Sequence, residues 1–145
     1  NFKANLDAVF ITTKTVLPWM IKAKTGAIVN IASVVGLKGV AYMSAYGAAK
    51  AGLINFTRAT AVEAAPHVRA NCVIPGAVLT PATEKAITDS ELMEATANTI
   101  PLKRIAKPIE LAKPIAFLLS SDASFITGAS LVVDGGKTAD LNAGN

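Results

Sequence analysis

Gly26-Ala-Ile-Val-Asn-Ile-Ala-Ser33 is the stretch whose reading decides the fold. Ala27 to Ala32 is short, mostly apolar and rich in β-branched side chains, which predicts a strand buried on both faces, as in parallel sheets. Upstream of it, Phe2 to roughly Lys24 reads as a helix. Leu6, Val9, Phe10, Leu17, Met20 and Ile21 recur at three- and four-residue steps, marking one apolar face. Pro18 lies inside that pattern, where it is expected to kink the helix or start a new turn, and Gly26 ends it.

Downstream, a loop with Gly36 and Gly39 leads into a second helix, from about Ser44 to Ala65, with Ser44 as its N-cap. Pro66 helps to stop this helix, Val68 to Ile74 reads as a second strand, and Pro75-Gly76 punctuates its end. Thr80 to Pro101 is a polar, partly helical excursion without strong periodicity. A further helix is expected from Ile109 to Ser120 despite Pro114, and a last strand from Ser130 to Asp134 before Gly135-Gly136. Helices alternating with strands in this order describe one α/β domain with a mostly parallel sheet. Three parallel strands leave a face or edge open, whereas parallel sheets are normally covered. The domain is therefore expected to be incomplete: as a whole molecule it would be poorly soluble or obligately associated, and in a truncated chain three missing strand–helix units would account for roughly 90–100 residues.

The 145 residues are 52% hydrophobic and 17% charged, an ordinary profile for an ordered soluble domain. The apolar stretches break well short of the ~18 residues a membrane span requires, and Lys3 and Asp7 interrupt the only candidate signal segment. A cytoplasmic protein without membrane contact is expected. Cys72 is the sole cysteine, so neither an intrachain disulfide nor a thiolate metal cluster can form, and no metal is expected. The net charge of +4 is scattered. Its tightest cluster, Lys103, Arg104 and Lys107, is too thin for a nucleic-acid footprint.

In open parallel sheets, ligands bind at the carboxyl ends of the strands. Ser33 immediately follows the first strand, Pro75-Gly76 the second, and Tyr46 and Lys50 lie in the first turns of the helix between them. Three segments thus converge on one crevice. Tyr46 and Lys50 are four residues apart and share a helix face. A phenol is a weak acid or base at neutral pH, but an adjacent ammonium favours its phenolate and moves it toward useful acid–base behaviour. Ser33 offers a hydrogen bond to the same reacting oxygen. The constellation is one for proton transfer, without a nucleophile–His pair or a metal. Tyr42 is a decoy, because the residue four positions on is Tyr46 and not a lysine. His67, beside Pro66, reads as a solvated loop residue.

Over nearly its whole length the chain resembles the short-chain dehydrogenase/reductase family. Asn5-Leu6, Gly26 to Ser33, Tyr46-Gly-Ala-Ala-Lys50-Ala-Gly52, Val68 to Gly76 with Thr80, Phe117 to Asp122, Ile126-Thr-Gly128 and Val133-Asp-Gly-Gly136 carry the likeness. The resemblance implies the C-terminal catalytic part, residues 1–145, of a single Rossmann-like, doubly wound domain whose N-terminal cofactor-binding part is absent. It implies an oxidoreductase moving a hydride between NAD or NADP and a small-molecule carbonyl or alcohol. Tyr46 would be the general acid/base, Ser33 would orient the substrate oxygen, Lys50 would hold the nicotinamide ribose, and Asn5 would support a water-linked proton relay. Pro75, Gly76, Val78 and Thr80 would line the nicotinamide side, with the Val78 backbone meeting the carboxamide.

The chain carries no glycine-rich phosphate loop, since Gly36 and Gly39 follow the Ser33 strand, and no residue that would choose between NAD and NADP. The small-residue run Ala45, Gly47, Ala48, Ala49, Ala51 and Gly52 permits close helix approach. In the resembled family this helix and the first one pack on a partner subunit, which implies a homodimer or homotetramer. The competing expectation is a non-catalytic scaffold or regulatory protein that kept the fold.

Overall fold

A computed structural model describes residues 1–81, 83 and 89–141. Its first element opens as a π-helical turn over Lys3–Asp7 and continues as the α-helix α1, Ala8–Ala23. Helix α1 runs through Pro18 and stops where Lys24 turns left-handed at φ 53°, its N–H reaching the carbonyls of Met20 and Ile21. Termination therefore falls at Lys24, two residues ahead of Gly26. The glycine serves the next step: a Cβ there would lie 2.9 Å from Met20 Sδ as the chain folds back into the sheet.

Strand β1 (Ala27–Ile31) is followed by a 3₁₀ turn over Val34–Gly36 and by helix α2 (Ser44–Ala64). Strand β2 covers Arg69–Pro75, helix α3 Ser90–Asn98, helix α4 Pro108–Leu119, and strand β3 Ser130–Val133. Asp89 caps α3 by accepting from Glu91 N–H at 2.9 Å. Pro114 sits inside α4 without ending it. The three strands are parallel in the order β1-β2-β3, with Ile31 opposite Val73 and Ile74 opposite Val132.

The core follows from that order. Central strand β2 alternates its side chains between two layers, as a pleated strand must. Cys72 and Ile74 pack with Ala32 and Ile54 on the α2 side, while Val73 packs with Leu111, Leu118 and Ala123 on the α4 side. Each fully buried aliphatic side chain of this kind contributes roughly 1.5–3 kcal/mol, so β2 anchors the sheet.

Strand β1 differs from its sequence expectation. Only Asn30 is buried along it, Ile28 and Val29 are half-buried, and Ile31 is 40% exposed. The reason is topological: among the described residues β1 pairs on one edge only, and a sheet-edge strand lacks the neighbours that would cover it.

Two polar side chains on β2 hold the layers in register. The Arg69 guanidinium donates to Leu118 O at 2.8 Å and Ser120 O at 2.9 Å, satisfying carbonyls that α4 leaves open at its C-terminus. Asn71, fully buried, donates to Ile126 O and accepts from Ala129 N–H, tying β2 to the approach to β3. On the other face, Asn30 donates to Thr57 Oγ1 at 2.9 Å across β1 and α2.

Candidate active site

The sheet delivers Ser33 and Pro75-Gly76 to the same edge. Ala32 N–H bonds Val73 O at 2.9 Å, so β1 ends beside β2 just before Ser33 leaves the sheet. Ser33 is extended and caps the following 3₁₀ turn, its Oγ accepting from Val35 N–H at 3.3 Å. That contact occupies a lone pair and leaves the hydroxyl proton for another acceptor.

Helix α2 starts at this edge. Lys50 Nζ donates to Ile31 O at 2.8 Å and lies 5.7 Å from the centroid of the Tyr46 ring. The ammonium therefore stands between the strand end that leads to Ser33 and the phenol one helical turn away. Burial pushes the Lys50 pKa below the ordinary lysine range, with Cys72 acting in the opposite sense. Burial also raises the Cys72 thiol, which stays protonated at neutral pH, so desolvation governs Lys50 there.

Two glycines bring the Ser33 turn and α2 together. A Cβ on Gly36 would lie 2.8 Å from the Lys50 carbonyl carbon and 2.9 Å from Ala51 N, and one on Gly47 would lie 2.9 Å from Val35 O. Within the small-residue run, Gly47 faces this chain's own Val35, and Gly52 faces Leu6, whose Cδ2 is 3.2 Å from where a Cβ would stand. That Leu6 contact seats the π turn of Lys3–Asp7 against α2. The Asn5 side chain itself turns back along its helix and donates to Asn1 O at 3.1 Å. The structure thus brings the Asn5 turn to α2 and leaves its amide on its own helix.

Beyond β2, Gly76 N–H bonds Val133 O at 3.0 Å, and a Cβ on Gly76 would lie 2.9 Å from Asp134 Cα. Asp134 accepts from Gly136 N–H, Thr138 N–H and Thr138 Oγ1 at 2.7–2.9 Å. Burial alone would raise its pKa, but these hydrogen bonds outweigh it and hold the carboxyl below its usual range. Val78 bridges Ala106, and Thr83 closes the turn after it by contacting Val78 O and Thr80. Residue type alone does not single out Gly36, Asp134 or Thr83. Their signals in the sequence are positional: a glycine after the strand-end serine, Asp-Gly-Gly with a threonine four residues on, and a Thr-x-x-Thr pair after Pro-Gly.

The decoys stay apart. Tyr42 is fully exposed in a left-handed conformation, φ 65°, and His67 lies in the turn after α2, half-buried rather than fully solvated. A cavity of about 620 Å³ between α3 and the 103–110 segment, and one of about 660 Å³ between α1 and α2, contain neither Ser33, Tyr46 nor Lys50. Among the described residues no helix is long and apolar enough to cross a membrane, and no three His, Cys, Asp or Glu side chains cluster as metal ligands would.

The chain as a whole resembles known proteins. Residues 1–138 match a family model described as enoyl-(acyl carrier protein) reductase. The chain is 41% identical over 140 residues to cyclopentanol dehydrogenase of Comamonas testosteroni, covering 96% of this chain and 56% of that protein. It superposes on a structure described as a short chain dehydrogenase/reductase family protein with a TM-score of 0.88 at 38% identity, covering 96% of this chain and 57% of the other. It superposes on gluconate 5-dehydrogenase of Burkholderia cenocepacia, in complex with NADP and tartrate, with a TM-score of 0.89 at 29% identity, covering 94% and 54%. The chain spans about half the length of the curated relatives it matches. With its α/β fold, its strand-end serine and its Tyr46–Lys50 helix turn, the chain belongs to the short-chain dehydrogenase/reductase family.

Proposed function

We propose that this chain supplies the proton-transfer part of an NAD(P)-dependent oxidoreductase interconverting an alcohol and a carbonyl, with Tyr46 as general acid/base. The observation that carries the reading is the position of Lys50, whose ammonium is pinned to Ile31 O at 2.8 Å and lies 5.7 Å from the Tyr46 ring. A fixed positive charge beside a phenol stabilises negative charge developing on its oxygen, which is what proton transfer from that oxygen requires.

In the reducing direction Tyr46 gives its hydroxyl proton to the substrate oxygen, and in the oxidising direction it takes one. Ser33, its lone pair held by Val35 N–H, donates its own proton to the same substrate oxygen and orients it. Asn5 stands in a π turn, a local widening often found at functional sites, and is proposed to hold a water-linked relay that returns protons to Lys50. The donor set fits a nicotinamide nucleoside. An ammonium has three protons, of which Lys50 uses one on Ile31 O and keeps two for vicinal ribose hydroxyls. Pro75, Gly76, Val78 and Thr80 line the strand end where the carboxamide would lie. The nicotinamide, when bound, supplies or accepts the hydride.

The partners proposed are a small alcohol or carbonyl and further copies of the same chain. Phe10 at 48%, Trp19 at 72% and Val62 at 79% exposure on α1 and α2 support the second. The test is turnover by the full-length protein with NAD(H) and NADP(H) across a panel of alcohols and ketones. Turnover with either dinucleotide is expected; a folded protein that binds neither would favour the scaffold reading.

A further inference from the structure

Thr83 sits just beyond the strand end and makes four contacts that together determine where two protons lie. Its Oγ1 is 2.6 Å from Val78 O, 3.0 Å from Thr80 N and 2.5 Å from Thr80 Oγ1, and its own N–H reaches Thr80 Oγ1 at 3.2 Å. A carbonyl oxygen only accepts, so the 2.6 Å contact requires the Thr83 hydroxyl proton to point at Val78 O. A hydroxyl has one proton. With that proton committed, the contact between the two hydroxyls can only be made by the Thr80 proton pointing at Thr83. Thr80 Oγ1 then has no proton to offer outward. It accepts from Thr83 N–H and retains one acceptor position.

The backbone beside it has the opposite polarity. The bridge to Ala106 is made by Leu79 N–H, at 2.9 Å to Ala106 O, and by Ala77 O, which accepts from Ala106 N–H at 3.1 Å. The Val78 N–H takes no part in that bridge, while its carbonyl is capped by Thr83. The strand end therefore presents a donor at Val78 N–H and an acceptor at Thr80 Oγ1.

We propose that Thr83 is a positioning residue that fixes the Thr80 hydroxyl as an acceptor, so that the site reads a carboxamide in one orientation, N–H to Thr80 and C=O to Val78 N–H. The inference rests on the proposed nicotinamide site and adds to it a residue that does not touch the cofactor.

The test compares binding of the natural dinucleotide with its 3-acetylpyridine analogue, whose methyl ketone lacks the amide N–H donor, in the full-length protein. Fluorescence or calorimetric titration gives both dissociation constants. The wild type is expected to prefer the carboxamide by about three- to tenfold, the scale of one net hydrogen bond. Thr83→Val removes the hydroxyl, frees Thr80 to rotate, and should bring that ratio close to one, with Thr83→Ser restoring it. A merely structural role would weaken both ligands alike and leave the ratio unchanged, which overturns the inference. Thr83→Ala, read against the same Ser variant, gives the same comparison if valine is not tolerated. A folded wild type that binds neither dinucleotide overturns the cofactor reading and this inference with it. A wild type that discriminates, with a Thr83→Val variant that discriminates equally, overturns the inference alone.

Discussion

Gly36 and Lys50 are in backbone contact: a single methyl group on Gly36 would stand 2.8 Å from the Lys50 carbonyl carbon. The loop that carries Ser33 thus approaches the helix that carries Tyr46 and Lys50 more closely than any residue with a side chain allows. Gly47, opposite Val35 O, makes the same approach from the helix side. These two glycines set how closely the Ser33 loop approaches the helix that carries Tyr46 and Lys50.

Gly36→Ala and Gly47→Ala should each force the loop and helix apart, costing about 1–3 kcal/mol of stability, the scale of overpacking. They should also reduce kcat more than dinucleotide affinity. Gly39→Ala is the internal control, because nothing lies within 4 Å of where its Cβ would be. Thermal melts and steady-state kinetics on the three variants check this. Wild-type kcat in Gly36→Ala would contradict it.

Lys50→Met should lose far more activity than stability. The ammonium is held in partly desolvated surroundings that push its pKa down, so methionine of similar length relieves a desolvation cost while removing the charge beside Tyr46. A kcat loss of at least about 100-fold, the scale of a general acid–base contribution, with a near-native melt is expected.

Arg69→Met should do the reverse. Without its guanidinium the C-terminal carbonyls of α4 at Leu118 and Ser120 lose their donors, a loss of about 2–4 kcal/mol for a charged, multidentate contact. Denaturant melts should show it, while kcat per folded molecule stays close to wild type. Arg69→Lys is expected to recover only part of the loss, since an ammonium cannot fork between two carbonyls as a guanidinium does.

Acid should weaken the 104–110 segment and the turn after β3. The Arg104 guanidinium, 2.6 Å from the Glu110 carboxylate, and the Lys107 N–H hold Glu110 down at about 2. Hydrogen bonds hold Asp134 below its usual range against its burial. Both folded pKa values lie below the unfolded ones, about 4.3 for Glu and 3.9 for Asp. Their stabilisation is thus fully present above those values and is lost as pH falls through the folded ones. Melting temperature measured from pH 5 to pH 2 should fall, and Glu110→Gln should flatten the slope between about pH 4.3 and 2. An unchanged slope in Glu110→Gln would contradict the assignment.

Much of this site is legible in the sequence. The order of strands and helices brings Ser33, Pro75 and Tyr46 to one sheet edge, because a helix following a parallel strand must return its chain to the start of the next. Helix spacing alone pairs Tyr46 with Lys50. The exposure of β1 was not legible, because an apolar, β-branched run says that a strand suits a sheet interior but not which neighbours it has. Gly47 and Gly52 read as small residues suited to close packing, yet only the structure shows their partners to be Val35 and Leu6 of the same chain. Thr83 escaped because the excursion around it lacks periodicity, so no face or register marks it. Arg69 escaped because a lone arginine on an apolar strand does not announce which carbonyls it will cap.

The central claim, that Tyr46 transfers the proton, is tested most directly by Tyr46→Phe in the full-length protein, with turnover and dinucleotide affinity measured side by side. Phenylalanine keeps the ring that lies 5.7 Å from Lys50 Nζ and removes only the hydroxyl. Turnover reduced at least about 100-fold, with dinucleotide affinity within about threefold of wild type, is the expected result. Undiminished kcat in Tyr46→Phe would contradict the account.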